Sequence, residues 1–179
     1  MEAASSSKKK GLLVVYTGDG KGKTTAALGM VFRALGRGLK VSVIQFIKGR
    51  WKTGEQLMAA RLEGLDWKVM GRGFTWESED LELDKQAAQQ AWQEASGVLS
   101  GGTADLLVLD ELTYTFQLGF LDLDQVLDSL KKRPPAMHVV ITGRGAPAAL
   151  LEAADLVTEM NPIKHPFQQG VAAQPGVDY

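Results

Sequence analysis

Uninterrupted runs of aliphatic and β-branched residues recur along the chain at 12–16, 41–46, 67–70, 106–109, 139–142 and 156–159. Runs this short without polar alternation predict strands, most of them buried on both faces. Between them the apolar positions change to helical spacing. Ala27, Met30, Val31, Ala34 and Leu35 share one face of a predicted helix, and Gly36 is a plausible stop. A longer helix carries Ala88, Ala91, Trp92, Ala95, Val98 and Leu99, with Ser78 as its cap and Glu79 and Asp80 in its first turn. Leu123, Val126, Leu127 and Leu130 form a third stripe, closed by "KKRPP". Phe32 and Trp92 fall within these stripes and are assigned to the core.

Strand and helix alternate, which predicts an α/β fold: a mostly parallel sheet of about six strands with helices on both faces. In such sheets ligands bind at the carboxyl ends of the strands. Each predicted strand is followed by glycine-rich or polar chemistry: "TGDGKGKTT", "QFIKGRW", "GRGFTW", "DELTY", "TGRG" and "NPIKHPF", in chain order. Six such strand ends point to one shared site. His138 opens a strand, at the end of the sheet away from that chemistry. His165, in "KHPF", is placed either to touch a ligand or to sit in a solvated loop.

Length and charge narrow the classes. The chain has 179 residues, enough for one well-buried core, and no repeat or linker divides it. Residues 1–10, rich in serine and lysine, are expected to be a disordered basic tail, and 11–179 a single domain. A formal net charge of -1 argues against a nucleic-acid partner, which calls for a basic face. The few apolar residues after the N-terminal "KKK" are too short for a secretory core or a membrane span. The absence of cysteine removes disulfides and thiol chemistry and fits a cytoplasmic setting.

The first strand end carries the sharpest signal. Gly22, Lys23 and Thr24 close a phosphate-loop pattern, but Thr17 stands where its first glycine belongs. Gly18, Gly20 and Gly22 let backbone N–H groups converge on an anion, and the following helix adds its N-terminal dipole. Asp19 and Thr25 lie within the same loop and helix start. Lys23 offers a point charge to phosphates, Lys21 a second cation, and the Thr24 hydroxyl a ligand for magnesium, with manganese as the alternative ion. Asp110 and Glu111, closing an apolar strand expected to neighbour the first, are candidates for the second metal anchor, and in an ATPase or kinase Glu111 would instead activate water or a hydroxyl. Arg144 in "TGRG" adds phosphate charge. These residues point to a nucleoside triphosphate with a divalent ion, and leave open whether the reaction is hydrolysis, phosphoryl transfer or another.

Taken together, "TGDGKGKTTAALG", "VIQFIKG", "GFTW", "LDELTY", "ITGRG" and the terminal "GVDY" resemble the ATP:corrinoid adenosyltransferase family of the phosphate-loop type, over nearly the whole chain. The resemblance implies a three-layer phosphate-loop fold whose first turn is shortened, which suits Thr17. It also implies transfer of the 5'-deoxyadenosyl group of ATP to the Co(I) of cobalamin or a corrinoid precursor, with release of triphosphate. ATP is then expected to lie in the loop in the reverse sense, its 5' carbon facing the corrinoid. The resemblance further implies an electron donor such as a flavoprotein, a homodimer and a cytoplasmic location.

Two residues acquire a role only through that resemblance. By residue type, Phe74 and Trp76 are core aromatics of a strand or loop. The family pattern instead makes them the side chains that displace the lower axial ligand of Co(II), so that it accepts an electron more readily. Many relatives carry asparagine where Asp19 stands, so its carboxylate is expected to bond loop N–H groups or face the metal. The short N-terminal segment lacks the length for the helical cover that longer relatives place over the corrinoid, which implies a more open site.

Overall fold

The computed structural model describes residues 10–47, 53–71, 73 and 81–179. Six strands form one sheet: β1 (Leu13–Thr17), β2 (Val41–Gln45), β3 (Leu65–Val69), β4 (Leu106–Asp110), β5 (His138–Thr142) and β6 (Leu156–Glu159). All pairings are parallel and the spatial order is β3-β2-β4-β5-β1-β6. Every predicted strand is present, within about two residues of its predicted ends.

Parallel neighbours require crossovers, and helices supply most of them. They are α1 (Lys23–Leu35), α2 (Gly54–Ala59), α3 (Leu81–Gly101), α4 (Thr113–Gln117), α5 (Leu123–Lys131) and α6 (Ala148–Ala153). Side chains alternate across the strands, so each central strand feeds two cores. Leu13, Val15, Leu107, Leu109, Val139 and Ile141 face α3 and α5 on one side of the sheet. Val14, Val108 and Val140 face Ala27, Val31 and Ala34 of α1 on the other. Asp122 caps α5 by accepting from the N–H groups of Asp124 and Gln125 at 2.8 and 3.2 Å, fixing where that helix begins.

Burial on both faces holds for β1, β2, β4 and β5, most of the strands as expected, while all four residues of the edge strand β6 are exposed and β3 is only partly covered. One expectation is corrected. Phe32 is 76% exposed, because α1 buries only the Ala27, Val31, Ala34 stripe and Phe32 lies about 100° around the helix from Val31. Trp92 does pack against the core. Ser78, Glu79 and Asp80 lie outside the described residues, as does the expected tail over residues 1–9.

The sheet brings the ends of β4, β5 and β1 side by side, and its stiffness depends on the central strands. Replacing Leu109, fully buried in β4, with alanine should cost about 2–5 kcal/mol, read as a lower urea midpoint at unchanged slope.

Candidate functional site

The loop after β1 is shaped by contact with the segment that follows β6. Thr17 remains inside β1, paired with Glu159, so the turn starts one residue late at Gly18, which has φ 94°. Thr17 Oγ1 accepts from the Ala146 N–H at 3.2 Å, tying this strand end to the loop after β5. Gly20 N–H donates to the Met160 carbonyl at 2.6 Å, and a Cβ at Gly20 would stand 2.7 Å from that oxygen. The glycine is therefore required by close backbone approach. Gly22, with φ 114°, turns the chain into α1. The first N–H groups of that helix, unpaired within it, border the loop.

Lys23 is 6% exposed and its Nζ donates to the carbonyls of Gly18 and Gly20, at 2.7 and 2.8 Å. Burial lowers its pKa from the ordinary lysine value; the field of Glu111 opposes this, Arg144 reinforces it, and Asp19 and Asp110 oppose it. Lys23, Glu111, Arg144, Asp19 and Asp110 thus share one electrostatic neighbourhood. Asp19 and Thr25 are exposed at the loop and on the first turn of α1. Lys21 is ion-paired with Asp178 near the C-terminus. Arg144 is exposed, and its backbone carbonyl accepts from Thr113 Oγ1 and Gln117 Nε2, each at 2.7 Å.

Asp110, at the end of β4, is 1% exposed and serves as the hub. Its Oδ1 accepts from Thr24 Oγ1 at 2.9 Å and from Thr142 Oγ1 at 2.7 Å, and its Oδ2 from Gln45 Nε2 at 2.9 Å. Thr142 Oγ1 in turn accepts from the Glu111 N–H at 2.9 Å. Glu111 is the one non-glycine residue with positive φ, 61°, among the described residues. Such a conformation costs on the order of 1–2 kcal/mol and clusters at functional sites. It turns the chain sharply from β4 into α4. Asp110's strand is not the immediate neighbour of β1, as the sequence reading assumed; β5 lies between, and Thr142 at its end bridges the two.

Gln45 and Thr142 were not singled out from sequence. Each is the last residue of an apolar strand, "VSVIQ" and "HVVIT", and a polar group closing such a run was the available signal. A set of one hydroxyl and nearby carboxylates suits magnesium, which takes hard oxygen ligands and draws most of the rest from water and substrate phosphates. Among the described residues no group of three or more His, Cys, Asp or Glu is placed to hold a metal ion by itself.

Beyond β2 and β3 a cavity of about 10 Å³, room for a single water, is lined by Phe46, Ile47, Gly73, Asp84, Tyr114 and Phe120. Asp84 is 7% exposed and its Oδ2 has no hydrogen-bond partner among the described residues. Burial raises the Tyr114 pKa above its ordinary value, against the field of Arg144. Phe74 and Trp76, which follow Gly73, lie outside the described residues, as do Lys48 to Trp51 of "QFIKGRW". His138 is accounted for structurally, its Nδ1 accepting from the Leu12 N–H at 3.1 Å. His165 Nδ1 accepts from the Phe167 N–H at 3.2 Å and caps a short 3-10 turn, Pro166–Gln169.

A glycine loop between a strand and a helix, a buried lysine and a strand-end aspartate bonded to the loop threonine define a phosphate-loop nucleotide-binding protein of the α/β class. The chain belongs to the ATP:corrinoid adenosyltransferase BtuR/CobO/CobP family, whose pattern matches residues 9–179. It is 48% identical over 172 residues to a corrinoid adenosyltransferase of Pseudomonas aeruginosa, covering 96% of this chain and 85% of that one. It is 46% identical over 171 residues to one of Escherichia coli K12, with coverages of 96% and 87%. With the corrinoid adenosyltransferase CobA of Salmonella typhimurium it shares 44% identity over 176 residues, with coverages of 98% and 89%. The flagellar accessory protein FlaH of Methanocaldococcus jannaschii is similar in fold alone, with a TM-score of 0.58 at 10% identity, over 84% of this chain and 71% of that one.

The lowered pKa of Lys23 has a measurable consequence. Phosphates in the loop raise it again, so binding should take up a fraction of a proton at pH values between the lowered and the restored pKa of Lys23, below the ordinary lysine value. Titrating triphosphate in buffers of different ionisation enthalpy reads this directly; uptake that persists after Lys23→Met would assign it to another group.

Proposed function

We propose that this protein transfers the 5'-deoxyadenosyl group of ATP to the Co(I) centre of a corrinoid and releases inorganic triphosphate. The reading is carried by family membership across nearly the whole chain, joined to a site whose charges converge where a triphosphate would lie. Cobalamin and its corrinoid precursors are the acceptor class.

The chemistry sets what the residues must do. The electron pair of Co(I) forms a bond to the ribose 5' carbon, and the carbon–oxygen bond breaks with its electrons passing to the triphosphate. The nucleophile belongs to the substrate, so the protein supplies orientation and charge stabilisation. Lys23, with the loop N–H groups, stabilises negative charge that grows on the departing triphosphate; Lys21 and Arg144 add positive charge, and Gly18, Gly20 and Gly22 allow close approach. Asp19 and Thr25 border the same path. Thr24 with Asp110 and Glu111 would hold a magnesium ion, which supplies further neutralisation of the leaving group when bound. Phe74 and Trp76 act earlier, favouring loss of the lower axial ligand from Co(II). An electron donor such as a flavoprotein, a homodimeric state and a cytoplasmic location belong to the same proposal. Among the described residues no helix is long and apolar enough to cross a membrane.

Incubation with MgATP and chemically reduced cobalamin should convert the Co(I) absorbance spectrum to that of an alkylcobalt species and yield triphosphate in equal amount. Phosphate or diphosphate as the product, or ATP turnover without corrinoid, would sink the reading.

The aromatic pair gives a sharper test, because reduction and transfer can be assayed apart. With prepared Co(I) at saturation, the double change Phe74→Ala and Trp76→Ala should retain a rate within roughly tenfold of the parent. Starting from Co(II)alamin with a weak reductant, it should be nearly inactive. Equal losses from both starting states would mean that the two rings only hold the corrinoid or the fold.

A further inference from the structure

The chain returns to the phosphate loop at its very end. Asp178 pairs through Oδ1 with Lys21 Nζ, across a sequence separation of 157 residues. Its carboxylate is held in place by a closed turn: Oδ2 accepts from the Gln174 N–H at 2.8 Å, and the Asp178 N–H donates to the Gln174 carbonyl at 2.8 Å. The Val177 N–H donates to the same carbonyl at 3.2 Å, and the Gly176 N–H to the Tyr179 oxygen at 2.8 Å. The Asp178 carboxyl accordingly lies below its ordinary pKa, with the Lys21 hydrogen bond as the main cause and the Gln174 N–H next.

Both loop lysines are thus engaged by protein oxygens, but in different ways. Lys23 is buried and folds onto the loop's own carbonyls. Lys21 has a side chain 42% exposed, and its partner is a full negative charge whose own side chain is 21% exposed. An ammonium on a four-carbon stem can turn from one anion to another without moving the backbone. A triphosphate entering the loop brings several negative charges to the same region, where they and the Asp178 carboxylate compete for the same cation.

We propose that Asp178 is a positioning residue that exchanges Lys21 with the triphosphate: it holds the lysine while the loop is empty, yields it when the phosphate chain binds, and reclaims it as the phosphate chain leaves. The exchange weakens the loop's hold on a phosphate chain, which suits a reaction whose product is a highly charged anion in a cationic loop. It releases the terminal turn each time the loop fills. The proposal rests on the loop's binding a triphosphate and is independent of the acceptor.

Calorimetric titration of magnesium triphosphate into the full chain, Asp178→Asn, Lys21→Met and the double variant tests it. Asp178→Asn should bind triphosphate about two- to fivefold more tightly, the scale of one partly exposed ion pair. Lys21→Met should bind more weakly, and adding Asp178→Asn to it should change nothing further. Unchanged or weaker binding by Asp178→Asn overturns the proposal, as does an equal gain in the Lys21→Met background, which would show a general charge effect. Hydrogen exchange at the Gly176 and Asp178 amides should quicken in the parent protein when triphosphate is added and be insensitive to it in Asp178→Asn; protection of these amides by triphosphate would also overturn it. Failure of corrinoid adenosylation in the parent would count against the proposed function while leaving these titrations readable.

Discussion

The buried carboxylate of Asp110 is the constraint on which the site depends. A carboxylate at 1% exposure is costly to bury unless its lone pairs are met by donors. Here three donors meet it, from the end of β2, the end of β5 and the first turn of α1. Those donors cannot reach one carboxylate unless three strands end at the same level and α1 starts directly above them. Polar satisfaction therefore sets the register of the sheet's carboxyl edge, while the apolar cores set only its faces. The same network fixes Thr24, and with it the direction in which the phosphate loop opens.

The second constraint comes from outside that network. The loop lacks the usual first glycine, and its shape is held by Met160, whose carbonyl leaves no room for a side chain at Gly20. β6, though exposed along its length, is thus more than an edge: it delivers the backbone that supports the loop from the far side. Thr17 also bonds the loop that carries Arg144, so the substitution that makes the motif irregular has a structural function of its own.

Much of this was legible because local pattern and global fold agree. Six uninterrupted apolar runs gave six strands, and the strand-end rule pointed to the residues now gathered around Lys23 and Asp110. What was not legible depends on order in space. Whether β6 is covered, whether Phe32 meets a second layer and whether β5 separates β1 from β4 are properties of the topology. Gln45 and Thr142 were hidden because one polar residue at the end of a strand resembles many others until the shared acceptor is seen. The Lys21 and Asp178 pair was hidden for a simpler reason, since no local pattern connects residues at opposite ends of a chain.

The two ends of the strand-end surface differ in how closely they are bonded. On the phosphate side, Lys23, Asp110 and Thr24 are bonded into a dense set of short contacts, as suits groups that must be in place before charge develops. On the other side, β3 is only partly covered, and the chain leaves it through Gly71 and Gly73 towards the segment bearing Phe74 and Trp76. The cavity there holds buried Asp84, with a carboxylate oxygen unpaired among the described residues. A closely bonded cradle at one end and a partly covered strand beside a small cavity at the other follow from the sheet order, because β1, β5, β4 and β2 are packed on both faces and β3 lies at the edge.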